Sequence, residues 1–116
     1  MTIEELQKIC NKFKGLTEDI KWENHLCFNV GEKMFLVTSP DTVPQSASFK
    51  VSDEEFDELS QKEGFMPAPY LARHKWVHLD DINRLTKKQW EHYATQSYKL
   101  IFTKLPVKIK KQIEAV

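Results

Sequence analysis

The sequence predicts an α+β fold, a two-layer sandwich in which an antiparallel sheet carries helices packed on one face. Three observations carry this. Apolar residues recur at helical spacing in three separated stretches, near residues 3–13, 52–63 and 86–105. Between these stretches lie short runs with strand alternation. Two of the runs meet at a tight glycine turn, the mark of antiparallel neighbours. With 116 residues the chain buries a core without disulfide or metal staples, and a single domain over residues 1–116 is expected.

The elements follow in order. Thr2 is an N-cap with Glu5 in the capping-box position, and Ile3, Leu6, Cys10 and Phe13 share one helical face that ends at Gly15. Ile20–Trp22 is a weak first strand. Leu26, Phe28 and Val30 alternate with Cys27 and Asn29 as the next. Val30-Gly31-Glu32-Lys33 places glycine first in a two-residue turn, which predicts type II′. Met34–Thr38 returns as a strand covered for much of its length. Ser39–Ser46, with two prolines, is a loop, and Ala47–Val51 a further strand. Ser52 and Glu55 cap a helix that runs to about Glu63, stopped by Gly64. Phe65–Tyr70 reads as a loop because of Pro67 and Pro69, and His74–Leu79 as the last strand. A helix of about five turns starts near Thr86. Pro106 breaks it, and Val107–Ile113 is a short basic amphipathic piece.

Charge limits function. The chain holds 17 basic and 17 acidic residues, so an overall basic nucleic-acid binder and a charged disordered tail are excluded. The balance is uneven along the chain. Residues 1–81 hold nine Lys/Arg against fifteen Asp/Glu, and residues 82–116 hold eight against two. No apolar run approaches the roughly 18 residues of a membrane span, and MTIEELQKIC lacks the apolar core of a signal peptide. Cys10 and Cys27 are too few for a disulfide scaffold and form no CxxC, so free buried thiols and a cytoplasmic location are expected.

The pieces Thr17-Glu18-Asp19-Ile20-Lys21-Trp22, Lys33-Met34-Phe35 and Phe49-Lys50-Val51 are followed by a longer series. That series is Pro69-Tyr70, His74-Lys75-Trp76-Val77, Leu79-Asp80, Ser97-Tyr98 and Leu105-Pro106. In this order and spacing the sequence resembles the MmcQ/YjbR family of small bacterial proteins. The resemblance implies a compact two-layer fold with an antiparallel sheet, similar to frataxin-like and secretion-chaperone-like arrangements. Members of the family are commonly labelled DNA-binding. The resemblance brings no catalytic residues and no cofactor.

Duplex binding needs clustered basic side chains to neutralise phosphates. Lys104, Lys108, Lys110 and Lys111 form one candidate group and Arg73, His74 and Lys75 a second, with Lys50 at a strand end and Tyr70 and Trp76 as rings for stacking on bases. The acidic helix Asp53–Glu63 confines any DNA contact to the opposite side.

Other chemistry fits the residues less well. His74 and His78 would lie about 13 Å apart on an extended strand, too far to share one ion, so no metal is expected. Ser97 sits inside a helix without a nucleophile elbow, and three glycines form no phosphate loop. No enzyme activity and no cofactor are expected. The alternative function is a protein-interaction or chaperone-like module that uses the open sheet face, with Trp22, Phe28 and Phe35 as contacts if they face outward. Self-association between the acidic and basic halves is a further possibility for a partner, and no membrane partner is expected.

Overall fold

In a computed structural model that describes residues 1–115, the chain begins with α1 (Ile3–Cys10). Thr2 Oγ1 accepts the Glu5 N–H at 3.1 Å, which satisfies one of the free amides of the first turn. Phe13 lies past the helix end yet packs on the core, so its apolar spacing reports burial rather than helix. Four strands follow: β1 (Leu16–Lys21), β2 (His25–Val30), β3 (Lys33–Ser39) and β4 (Ser46–Lys50). Then come α2 (Asp53–Ser60), β5 (Phe65–Pro67), β6 (Trp76–Leu79), α3 (Lys87–Thr103) and α4 (Val107–Glu114). Capping boxes start α2 at Ser52/Glu55 and α3 at Thr86/Gln89. Pro106 ends the run of α3 and precedes α4.

The six strands form one antiparallel sheet in the order β1-β2-β3-β4-β6-β5. The α+β two-layer expectation holds. Register assigns the two faces. Phe28, Leu36, Phe49 and Val77 lie in one row across β2, β3, β4 and β6, and they join Leu6, Trp90 and Ala94 in the core beneath the helices. The opposite row runs Asp19, Cys27, Val37, Ser48, His78 and Met66 across all six strands. Trp90 donates its indole N–H to Ile82 O at 2.8 Å, so the largest core side chain has its polar atom satisfied.

Several local expectations change. Phe65–Pro67 is a strand, not a loop: Pro67 is tolerated because β5 is an edge strand and needs no inward N–H there. The first strand starts at Leu16 rather than Ile20. As the other edge of the sheet it carries polar residues at Thr17, Glu18 and Asp19, which hide the strand period. Gly31 and Glu32 both have positive φ (55° and 66°), so the β2–β3 turn is type I′, not II′. The last strand begins at Trp76, since Ala72–His74 forms a 3-10 turn and Lys75 closes it at φ 64°.

Antiparallel pairing fixes which chain segments meet. The end of β4, the start of β6, the β2–β3 turn and the start of β1 all lie at one end of the sheet. The β1–β2 hairpin tip, the start of β4 and the end of β6 lie at the other.

Candidate functional site

At the first of these ends, basic residues from separate parts of the chain converge. Lys50 closes β4 on the face away from the core, opposite Trp76. Its side chain is 8% exposed, and its ammonium donates to the carbonyl of His74. Burial lowers the Lys50 ammonium below its ordinary range. The charges of Lys104 and Lys75 push the same way, against the pull of Asp53. Lys75 lies with its ammonium 5.0 Å from the centre of the Phe56 ring, a cation–π contact. Lys104 is the exposed residue that caps the C-terminus of α3, where positive charge also suits the helix dipole. Arg73 and His74 are exposed on the 3-10 turn beside Lys75.

The last helix brings further lysines to this end. Ile113 and Ile109 of α4 pack against Gly15 and Gly31, where a side chain would collide with them. Lys110 donates to Thr103 O at 3.2 Å, next in the chain to Lys104. Lys108 and Lys111 remain exposed on the outer arc of α4, away from Ile109 and Ile113. Acids are not far off: α2 starts at the same end with Asp53 and Glu54.

Two sequence-predicted residues change character. Trp76 is 4% exposed and packs with Cys27, Val37 and Ala68, so its ring is not available for stacking on a base. It faces away from the main core, but the loop after β5 folds over it with Leu71. Lys50 is buried with its ammonium on a carbonyl, so it supports the His74 turn instead of reaching a phosphate. Tyr70, by contrast, is 100% exposed.

The uncovered part of the outer sheet face is a groove of about 560 Å³. Val37, Ser46 and Ser48 line it from β3 and β4, His78 from β6, Trp22 and His25 from the β1–β2 hairpin, and Pro69, Tyr70 and Leu71 from the loop after β5. Ser48 Oγ and His78 Nδ1 are 2.9 Å apart. Sequence reasoning missed Ser48 and His78 as a pair, because only the β4–β6 register brings them together. It offered Trp22, Phe28 and Phe35 for this face only if they turn outward, with core as the competing reading. Trp22 is there and is 63% exposed, while both phenylalanines are fully buried in the core.

A family model described as YjbR matches residues 11–100. The chain belongs to the YjbR family. The solved structures agree in fold. One, a crystal structure of a Deinococcus radiodurans protein with the family-model domain DUF419, is similar at TM-score 0.86 and 22% identity, covering 97% of this chain and 88% of that one. Another, a protein from Pseudomonas syringae, is similar at TM-score 0.69 and 18% identity, covering 86% of this chain and 98% of that one. No curated protein matches the sequence. The YjbR match ends at residue 100, so Lys104, Lys108, Lys110 and Lys111 lie beyond it.

In this YjbR chain burial is the largest influence on both thiols and on His78. Cys10, at the core end of α1, has its thiol pushed up to about 12 by burial, helped by the charge of Glu18. Burial also raises Cys27. Both thiols are free, and both stay in the unreactive protonated form. Burial lowers His78, which keeps its imidazole neutral against Ser48, although Asp80 pulls the other way. No group of three or more His, Cys, Asp or Glu side chains is placed to hold a metal ion among the described residues. No helix among them is long and apolar enough to cross a membrane.

Proposed function

We propose that this YjbR-family protein binds DNA without reading its sequence, by phosphate contacts at the basic end of the sheet, and acts by binding alone. Arg73, Lys104, Lys108 and Lys111 are the exposed contacts. Lys75 and Lys110 back them, and Lys50 fixes the turn that carries Arg73. One observation carries the reading: Lys75 and Lys104, far apart in sequence, both lie close enough to Lys50 for their charges to bear on its ammonium. Clustered cations release condensed counterions from a phosphate backbone, which scattered ones do not. The acids of the first turn of α2 border this end. The same reading places the protein in the cytoplasm, where two unpaired thiols persist.

The test is a mobility titration of duplex and single-stranded DNA at low salt. Wild type is expected to retain DNA, and a Lys104→Glu/Lys108→Glu/Lys111→Glu variant is expected to lose it. No retention by wild type at low ionic strength would end the reading. A second reading, a protein-interaction module, is favoured by the exposed Trp22 ring at the groove. It predicts that the triple variant leaves function intact while Trp22→Asp abolishes it.

A further inference from the structure

The groove on the outer sheet face has a composition that phosphate binding does not use. Its rims are aromatic: Trp22 at the hairpin tip and Tyr70 on the loop after β5 are both widely exposed. Between them, Val37 and Met34 give an apolar floor, and Ser48 and His78 give it polar atoms. The Ser48–His78 hydrogen bond occupies Nδ1 and leaves His78 Nε2 without a partner among the described residues. That nitrogen donates or accepts according to the tautomer. His25, edge-on to Trp22 with ring centres 6.0 Å apart, also has its Nδ1 unpartnered.

We propose that this groove takes an unpaired nucleobase of a bound single strand, stacked on Trp22 or Tyr70 with its polar edge toward His78 and Ser48. This deepens the DNA-binding reading and rests on it. A flat heteroaromatic ring with a polar edge is the ligand class that matches aromatic rims over a partly polar floor. An extended peptide fits worse. It binds by pairing with a free strand edge, and the floor strands β3, β4 and β6 are already paired on both sides. The loop after β5 joins this groove to the basic end, because Tyr70 is three residues before Arg73.

The experiment measures fluorescence anisotropy at low salt with a labelled 12-residue oligothymidylate, an abasic oligonucleotide of the same length, and a duplex. Wild type is expected to bind the oligothymidylate about tenfold more tightly than the abasic strand, the size of one base stack. A Trp22→Ala/Tyr70→Ala variant is expected to lose that preference and keep its affinity for abasic strand and duplex. Both side chains are exposed, so the fold is retained, and far-UV circular dichroism checks it. Equal wild-type affinity for the base-bearing and abasic strands overturns the groove proposal and leaves the phosphate reading standing. So does a preference that survives the double variant. No binding of any of the three overturns both.

Discussion

The hydroxyl of Ser97, on α3, accepts the main-chain N–H of Lys50 at 3.0 Å. The same hydroxyl donates to Phe35 O, so one helix side chain joins β3 and β4 beyond their last ladder pair, Leu36 and Phe49. β3 is bulged against β2 at this point, and Phe35 and Leu36 both turn into the core. Ser97 is completely buried, so it fills a place in the ladder that water cannot reach.

Removing that hydroxyl leaves a buried N–H and a buried carbonyl without partners. Ser97→Ala is expected to destabilise the protein by about 1–3 kcal/mol. Urea denaturation checks this, with a lower midpoint and an unchanged m-value. Because the bond ends at Lys50, the variant is also expected to weaken DNA retention. A midpoint equal to wild type would show that the bridge contributes nothing.

Gly31 permits the docking of the last helix. Its φ is +55°, and a Cβ there would sit 2.7 Å from Leu105 Cδ1 and 3.0 Å from Ile109 Cγ2. Gly31→Ala therefore combines left-handed strain with a forced shift of Leu105 and Ile109. A cost of about 1–3 kcal/mol is expected. Hydrogen exchange is the sharper readout, since amides of Val107–Glu114 should exchange faster while those of β4 do not. Uniform exchange changes across both elements would contradict local undocking.

Burial keeps both thiols protonated. In native protein at pH 8, neither Cys10 nor Cys27 is expected to react with iodoacetamide on a scale of minutes, and both should react in urea. Mass spectrometry counts the adducts. Rapid labelling of native Cys27 would mean that the outer face opens around Leu71 and Trp76.

His78 links stability to pH. Its folded state resists protonation, mainly through burial, while the unfolded chain takes a proton near the ordinary value of 6.5. The unfolded state therefore binds more protons below that value, and stability falls as pH drops through it. His78→Gln is expected to flatten this part of the curve, measured by urea midpoints on either side of pH 6.5. An unchanged slope would assign the titration to another group.

Much of the fold is legible in the residues. Ser52/Glu55 and Thr86 with the periodic residues after it announce α2 and α3, and the Gly31 turn announces the β2–β3 hairpin. What escapes has physical causes. β5 is three residues long and contains Pro67, and β1 is a polar edge, so neither shows a strand period. The strand pattern before Trp76 hides a left-handed residue at Lys75, which residue type does not disfavour strongly enough to reveal. The basic residues are visible in sequence, but their meeting is not: it depends on β4 and β6 being neighbours and on Pro106 turning α4 back over Gly31. Trp76, in a strand beside Val77 and Leu79, reads from sequence as core or as a stacking ring, and the loop that folds over it makes it core.

The central claim is that separate basic segments form one phosphate-binding surface. The direct measurement is the dependence of DNA affinity on salt, for wild type and for Lys104→Gln. If the surface binds phosphates, log K falls linearly with log salt, and losing one contact reduces the slope by about 0.9 on duplex DNA. A slope near zero in wild type, or one unchanged by Lys104→Gln and Lys108→Gln together, would contradict the account.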